Sequence, residues 1–146
     1  MIIGMKKNIY WPFYSVAIVI FFAACSRGAA PVEEPIHEFL NNDSTYPVIQ
    51  ITTPVENQVF ASGAIINVTG KVTDNSIYQG SVKIINDVNN AVLKEQLYEI
   101  HGLELYNFNL AYTATVAMQS NYSVIVTFED HGWHKSADTV KVKVNP

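Results

Sequence analysis

The last run of the chain, "TVKVKV" at 139–144, sets valine at every second position, and "YSVIVTFE" at 122–129 does the same with Tyr122, Val124, Val126 and Phe128. Side chains on an extended strand alternate between faces, so apolar residues at period two mark a strand with one face buried. A helix cannot gather such positions into one stripe. The spacing recurs upstream. Ile66, Val68, Gly70 and Val72 share one face of "AIINVTGKVT" (64–73), against Asn67, Thr69, Lys71 and Thr73, and Tyr106, Phe108, Leu110 and Tyr112 share a face of "LYNFNLAY" (105–112). "VIQIT" (48–52) and "SVKIIN" (81–86) are two further strands. "AVLKEQLYE" (91–99) reads as strand or helix, because "LKEQLYEI" is rich in helix formers.

Seven short strands between Pro47 and Pro146, parted by turn residues, predict an all-β domain: a single immunoglobulin-like β-sandwich of about seven strands. Two segments resemble the Ig-like modules of bacterial envelope proteins. "PVIQITTPVENQVFASGAIINVTGKVTD" is similar to their opening, with proline before the first strand, "TP" closing it and "SG" ahead of the second. "YSVIVTFEDHGWHKSADTVKVKV" is similar to their ending, with Tyr122 in the place of the tyrosine corner, two residues before Val124. These are scaffold motifs, so the resemblance implies a fold rather than an activity.

The start of the chain has a different texture. Lys6 and Lys7 precede an apolar run, broken by Asn8, Pro12 and Ser15, that ends at Ala24 beside the single cysteine, Cys25. Basic start, apolar middle and small residues at a cut site are the order of a secretory signal. "FAAC" (22–25) resembles the lipobox of bacterial lipoproteins, in which the peptide is cut before a lipidated cysteine. The resemblance implies residues 1–24 as a cleaved lipoprotein signal and Cys25 as the lipid attachment point, and Met5 as an alternative start makes the leader shorter. An uncleaved membrane anchor is the other reading of the same run, which is barely long enough to span a bilayer. Lipidation also accounts for the cysteine count, since exported chains commonly carry thiols in pairs. Ser26 after the cysteine implies outer-membrane sorting, and a Bacteroidetes-type envelope lipoprotein is the group this combination most resembles.

Residues 25–46 hold the lipidated cysteine and a flexible linker: "SRGAAPVEEPIHEFLNNDSTY" shows neither hydrophobic period. Fully extended, it reaches on the order of 70 Å. Without residues 1–24 the chain keeps seven basic against 13 acidic residues, a net charge of −6. Such a balance offers nothing to neutralise phosphates, so nucleic acid is not an expected partner. The expected partners are the membrane, through the lipid, and an envelope protein or glycan.

In an immunoglobulin-like order, the B–C, D–E and F–G connections meet at one pole of the sandwich. The chain gathers its unusual residues there: Asp74, Asn75 and Tyr78, then His101, then Glu129, Asp130, His131, Trp133 and His134 of "EDHGWHKS". Loops on a rigid scaffold are the usual home of binding residues. Asp74, Glu129 and Asp130 offer the oxygens calcium requires, or else serve as turn residues. His101, His131 and His134 offer imidazoles for zinc, or stand solvated. Trp133 is a binding aromatic for sugar or protein, or a cap over the core. Catalysis is not expected: no phosphate loop, metalloprotease helix or ordered Ser-His-Asp set occurs, and the paired acids Glu33 and Glu34 sit in the linker. No cofactor is expected beyond that possible calcium or zinc. "DST" (43–45) and "DTV" (138–140) are similar to short O-glycosylation sites of Bacteroidetes, while "NVT" at Asn67 falls on a strand.

Overall fold

The computed structural model describes residues 43–146. The expected signal at 1–24, Cys25 and most of the linker therefore lie outside the described residues. Six strands follow in order: β1 (Val48–Thr53), β2 (Gln58–Ala61), β3 (Ile65–Asn86), β4 (Val92–Thr113), β5 (Ser120–Asp130) and β6 (Lys135–Asn145). No helix occurs among the described residues.

The hydrogen-bonding order is β1-β3-β5-β6-β2, with β4 on the other side of β3. β3 serves two layers. Its first half pairs with β1 on one side and with the second half of β4 on the other, from Ile65↔Thr113 to Thr73↔Leu105. Its second half pairs with the first half of β4 and with β5, from Gln79↔Glu129 to Asn86↔Tyr122. β6 then adds antiparallel to β5, and β2 closes that layer by running parallel to β6. β1 comes close to β5 and β6 without hydrogen bonding to either, as strands of facing layers do. The result is an immunoglobulin-like β-sandwich.

Two pairs of expected strands are thus continuous. The runs at 64–73 and 81–86 are halves of β3, and those at 91–99 and 105–112 are halves of β4. The ambiguous fourth run is strand. Residues 92–99 pair along Gln79–Ile85, and that ladder outweighs the helix preference of Lys94, Glu95 and Gln96. β2 is too short to show alternation and was not expected; Phe60 alone of its side chains packs against the core.

The core lies where the alternation said it would, on Ile66, Val68, Val72, Val82, Ile84, Phe108, Leu110, Val124, Val126, Phe128, Val142 and Val144, all buried. At its centre the rings of Phe108 and Phe128 meet at 5.5 Å, one from each layer. Each ring lies over a glycine directly opposite it in the ladder, Gly70 for Phe108 and Gly80 for Phe128. A Cβ at either glycine would run into that ring. The glycines are therefore the hollows that allow two phenylalanines to fill one narrow core. Tyr98 stacks on Phe128 at 6.1 Å, and its hydroxyl donates to the Asn109 carbonyl. Tyr122 is buried edge-on to Tyr112, 6.4 Å away in the other layer.

Replacing Gly80→Ala should force Phe128 from its place and cost about 1–3 kcal/mol, the range for overpacked cores. Urea unfolding of the full-length chain checks this; an unchanged midpoint would mean that the ring shifts freely.

Candidate functional site

The pole is made by two opposed interruptions in the β3–β4 ladder. Thr73 faces Leu105 and Ile77 faces Leu103, so three residues of β3 (Asp74, Asn75, Ser76) stand against one of β4. Gln79 next faces Glu99, so three residues of β4 (Ile100, His101, Gly102) stand against Tyr78 alone. The first bulge lifts Asp74 and Asn75 out of the ladder, and the second sets His101 over Tyr78. His101 and Gly102 reach this by adopting left-handed backbone, φ 54° and 81°. Bulges increase local twist, which is how one ribbon passes from one layer to the other.

The β5–β6 turn completes the pole. Asp130 ends the inward face of β5 and is wholly buried. Its Oδ1 accepts the His134 backbone N–H at 2.8 Å, its Oδ2 lies 2.9 Å from His134 Nδ1, and its own N–H donates to the His134 carbonyl at 3.1 Å. His131 N–H donates to the Ser76 carbonyl at 3.0 Å, tying the turn to the first bulge.

The nine residues expected at the pole sort into two clusters and one outlier. Tyr78 is the hub of the first. His131, His101 and Trp133 surround it with ring centroids at 4.9, 5.1 and 6.0 Å, and His101 and His131 lie 6.2 Å apart. Trp133 is 63% exposed, so it presents its ring to solvent rather than capping the core.

The second cluster is acidic. Asp130 and His134 are joined there by Asp43, and Tyr46 sets its ring 4.7 Å from that of His134. Asp43 Oδ1 accepts from Thr45 N–H (2.9 Å) and Thr45 Oγ (2.6 Å), and Asn75 Nδ2 donates to Thr45 Oγ at 3.2 Å. Residues 43–46, grouped by composition with the linker, are thereby fastened to the pole. Asp74 Oδ1 accepts the Ser76 N–H at 3.0 Å. Burial pushes the Asp74 carboxyl above the ordinary carboxylate range, with the charges of Asp130 and Asp43 adding to the push. The hydrogen bonds from Thr45 pull the Asp43 carboxyl below it, helped by nearby His134.

Glu129 is the outlier. Neighbours on a strand face opposite ways, so Glu129 turns from Asp130 and pairs with Lys135 at 3.1 Å. The oxygens of Asp74, Glu129 and Asp130 therefore do not converge as one calcium set. Nor do the three imidazoles: His101 and His131 stand beside Tyr78, while His134 folds onto Asp130. The face bearing Glu129 instead carries a shallow groove of about 220 Å³, lined by Gln79, Leu97, Thr127 and Lys135 among others. Asp43 and Tyr46 are the site residues that sequence reasoning did not find. The one available signal was the "DST" triplet, an aspartate two residues before a threonine, which favours a local turn.

Because the Asp74 carboxyl is raised in the folded state, its ionised form opposes folding above that value, and the cost fades as acid protonates it. Asp74→Asn keeps an acceptor for Ser76 and removes the charge. In EDTA at pH 7 the variant should melt above the parent, and the gain should shrink as falling pH protonates the raised carboxyl of the parent. Coincident melting curves at pH 7 would contradict this.

No protein-family model matches the chain, and no curated protein does. Among solved structures, it is similar to an engineered protein at 17% identity and TM-score 0.48, over 68% of this chain and 20% of that one, so it spans a fifth of that protein's length. It is similar to fibronectin(III)-like modules of Clostridium thermocellum CbhA at 19% identity and TM-score 0.42, over 67% of this chain and 97% of the module. A third similarity is to the CARDB domain of a Pyrococcus furiosus protein in complex with di-metal ions, at 13% identity and TM-score 0.44, over 72% and 96% of the two chains.

Proposed function

We propose that this chain is a non-catalytic module of the bacterial cell envelope, held at the outer membrane by lipid on Cys25 and docking to an envelope protein or glycan through the Tyr78 cluster. The observation that carries the reading is where the backbone is strained. Four residues other than glycine have positive φ among the described residues: Asn57, Asn90, His101 and Trp133. Asparagine and histidine are enriched in that region among residues other than glycine, whereas tryptophan seldom occupies it. His101 and Trp133 are both members of the Tyr78 cluster. Left-handed backbone costs on the order of 1–3 kcal/mol at such residues, and strain of this kind gathers at binding sites.

The cluster suits recognition. Trp133 and Tyr78 offer flat apolar faces with polar tips, the composition of binding hot spots, and the imidazoles beside them donate or accept hydrogen bonds. The bulges and the β5–β6 turn hold these rings on a sandwich, so little ordering remains to be done on binding. Among the described residues, Asp130 and His134 form an acid–imidazole pair within the turn, where the carboxylate also accepts the His134 N–H. A net charge of −6 after loss of the leader points away from nucleic acid. The lipid rests on the basic start, the apolar run and "FAAC".

Two experiments test the two halves. Cells fed labelled palmitate should label the wild-type chain, and Cys25→Ser should lose the label and accumulate the larger precursor; a labelled Cys25→Ser chain would remove the anchor. Trp133→Ala should leave the melting temperature close to the parent's and weaken binding to purified envelope glycans or detergent-solubilised envelope proteins at least tenfold. Undiminished binding to every such ligand would take the pole out of the contact surface.

A further inference from the structure

The acidic cluster at the pole has no part in that docking surface, and its chemistry points to an ion. One ligand atom each from Asp43, Asp130 and His134 lies within 4.8 Å of the others. Like charges gathered around one point repel unless something positive sits among them.

The second observation is independent of that charge. Asp43 Oδ2 and Asp74 Oδ2 are both shielded from solvent and have no hydrogen-bond partner among the described residues. Buried carboxylate oxygens left unmatched are costly, and natural proteins rarely leave them so without a reason such as a bound ion. A cation satisfies several carboxylate oxygens together, which a single hydrogen-bond donor does not.

The imidazole decides which cation. His134 Nδ1 and Asp130 Oδ2 are 2.9 Å apart. That spacing is the spacing of a hydrogen-bonded ion pair, and tetrahedral zinc with bonds of about 2.0–2.1 Å sets its ligands roughly 3.3–3.4 Å apart, so the pair need part by only about a few tenths of an ångström to admit the ion. Calcium and magnesium prefer oxygen alone, so a nitrogen among the ligands favours the zinc class.

We propose that Asp43, Asp130 and His134 bind a divalent cation of the zinc class. This ligand set differs from both sets suggested by spacing along the chain. It draws on residue 43, ahead of β1, and on the turn after β5, so an ion there ties the approach to the domain to its pole.

The test is titration calorimetry of zinc chloride into the full-length chain, purified in detergent and freed of metal with EDTA, with melting temperature as the second readout. The expected result is one zinc per chain and a rise of several degrees in melting temperature. Asp43→Asn and His134→Gln should each weaken zinc at least tenfold, while His101→Ala and His131→Ala should not. Asp43→Asn retains an acceptor for Thr45 and lies outside the strands, so it keeps the proposal testable where His134→Gln disturbs the turn. Absence of zinc binding, or binding indifferent to Asp43→Asn and His134→Gln, would overturn the proposal. Loss of zinc in His101→Ala or His131→Ala would overturn it too, by placing the ion on the Tyr78 side. Calcium binding as tight as zinc would overturn the choice of cation.

Discussion

The structure depends on one long ribbon that must belong to two sheets. β3 and β4 pair over nearly their whole length, yet their first and second halves bury side chains in the same core from opposite sides. A flat ribbon cannot do this, because its inward residues would all face one way. The opposed bulges at 74–76 and 100–102 supply the bend, and they interrupt the ladder where they occur. Those interrupted backbone groups and lifted side chains are the material of the pole. The fold and the candidate site are consequences of the same deformation.

Phe108, Phe128 and their facing glycines show a related economy. Each glycine gives up a side chain on a strand that would be better served by a β-branched residue. The loss makes room for a ring from the neighbouring strand, and the two rings then meet across the layers. Packing at this point ties the first half of β3 to the second, because Gly70 and Gly80 lie on either side of the bend. A chain that aligned its strands but misplaced either glycine would meet a clash in the centre of the core.

Much of this was legible in the sequence because burial here follows period two. Val124, Val126 and Phe128, or Val142 and Val144, announce their face without knowledge of their partners. Gly70 could be placed on the buried face, but its partner Phe108 lies 38 positions away, and nothing local links them. The bulges were legible as turns and not as interruptions within continuous strands, since "TDNS" suits either. At the pole, proximity along the chain misled. Glu129 and Asp130 are neighbours in sequence and face opposite ways, and His131 and His134 share a turn but join different clusters. Asp43 was hidden by its company: surrounded by small and polar residues, it has the composition of a linker, and its place is set by Thr45 and Asn75, contacts that periodicity does not register.

The two clusters nevertheless share a backbone. The carbonyl of Asp130 accepts the N–H of Trp133 at 3.3 Å, and its carboxylate accepts the N–H of His134 at 2.8 Å. The residue that anchors the acidic cluster therefore also fixes the turn that holds Trp133 in left-handed backbone. Held on both sides, Trp133 has fewer alternatives than a tryptophan in an open loop, and Asp130, which accepts both bonds, is buried at the end of the core. An ion on Asp130 and His134 would stiffen that turn without touching the indole.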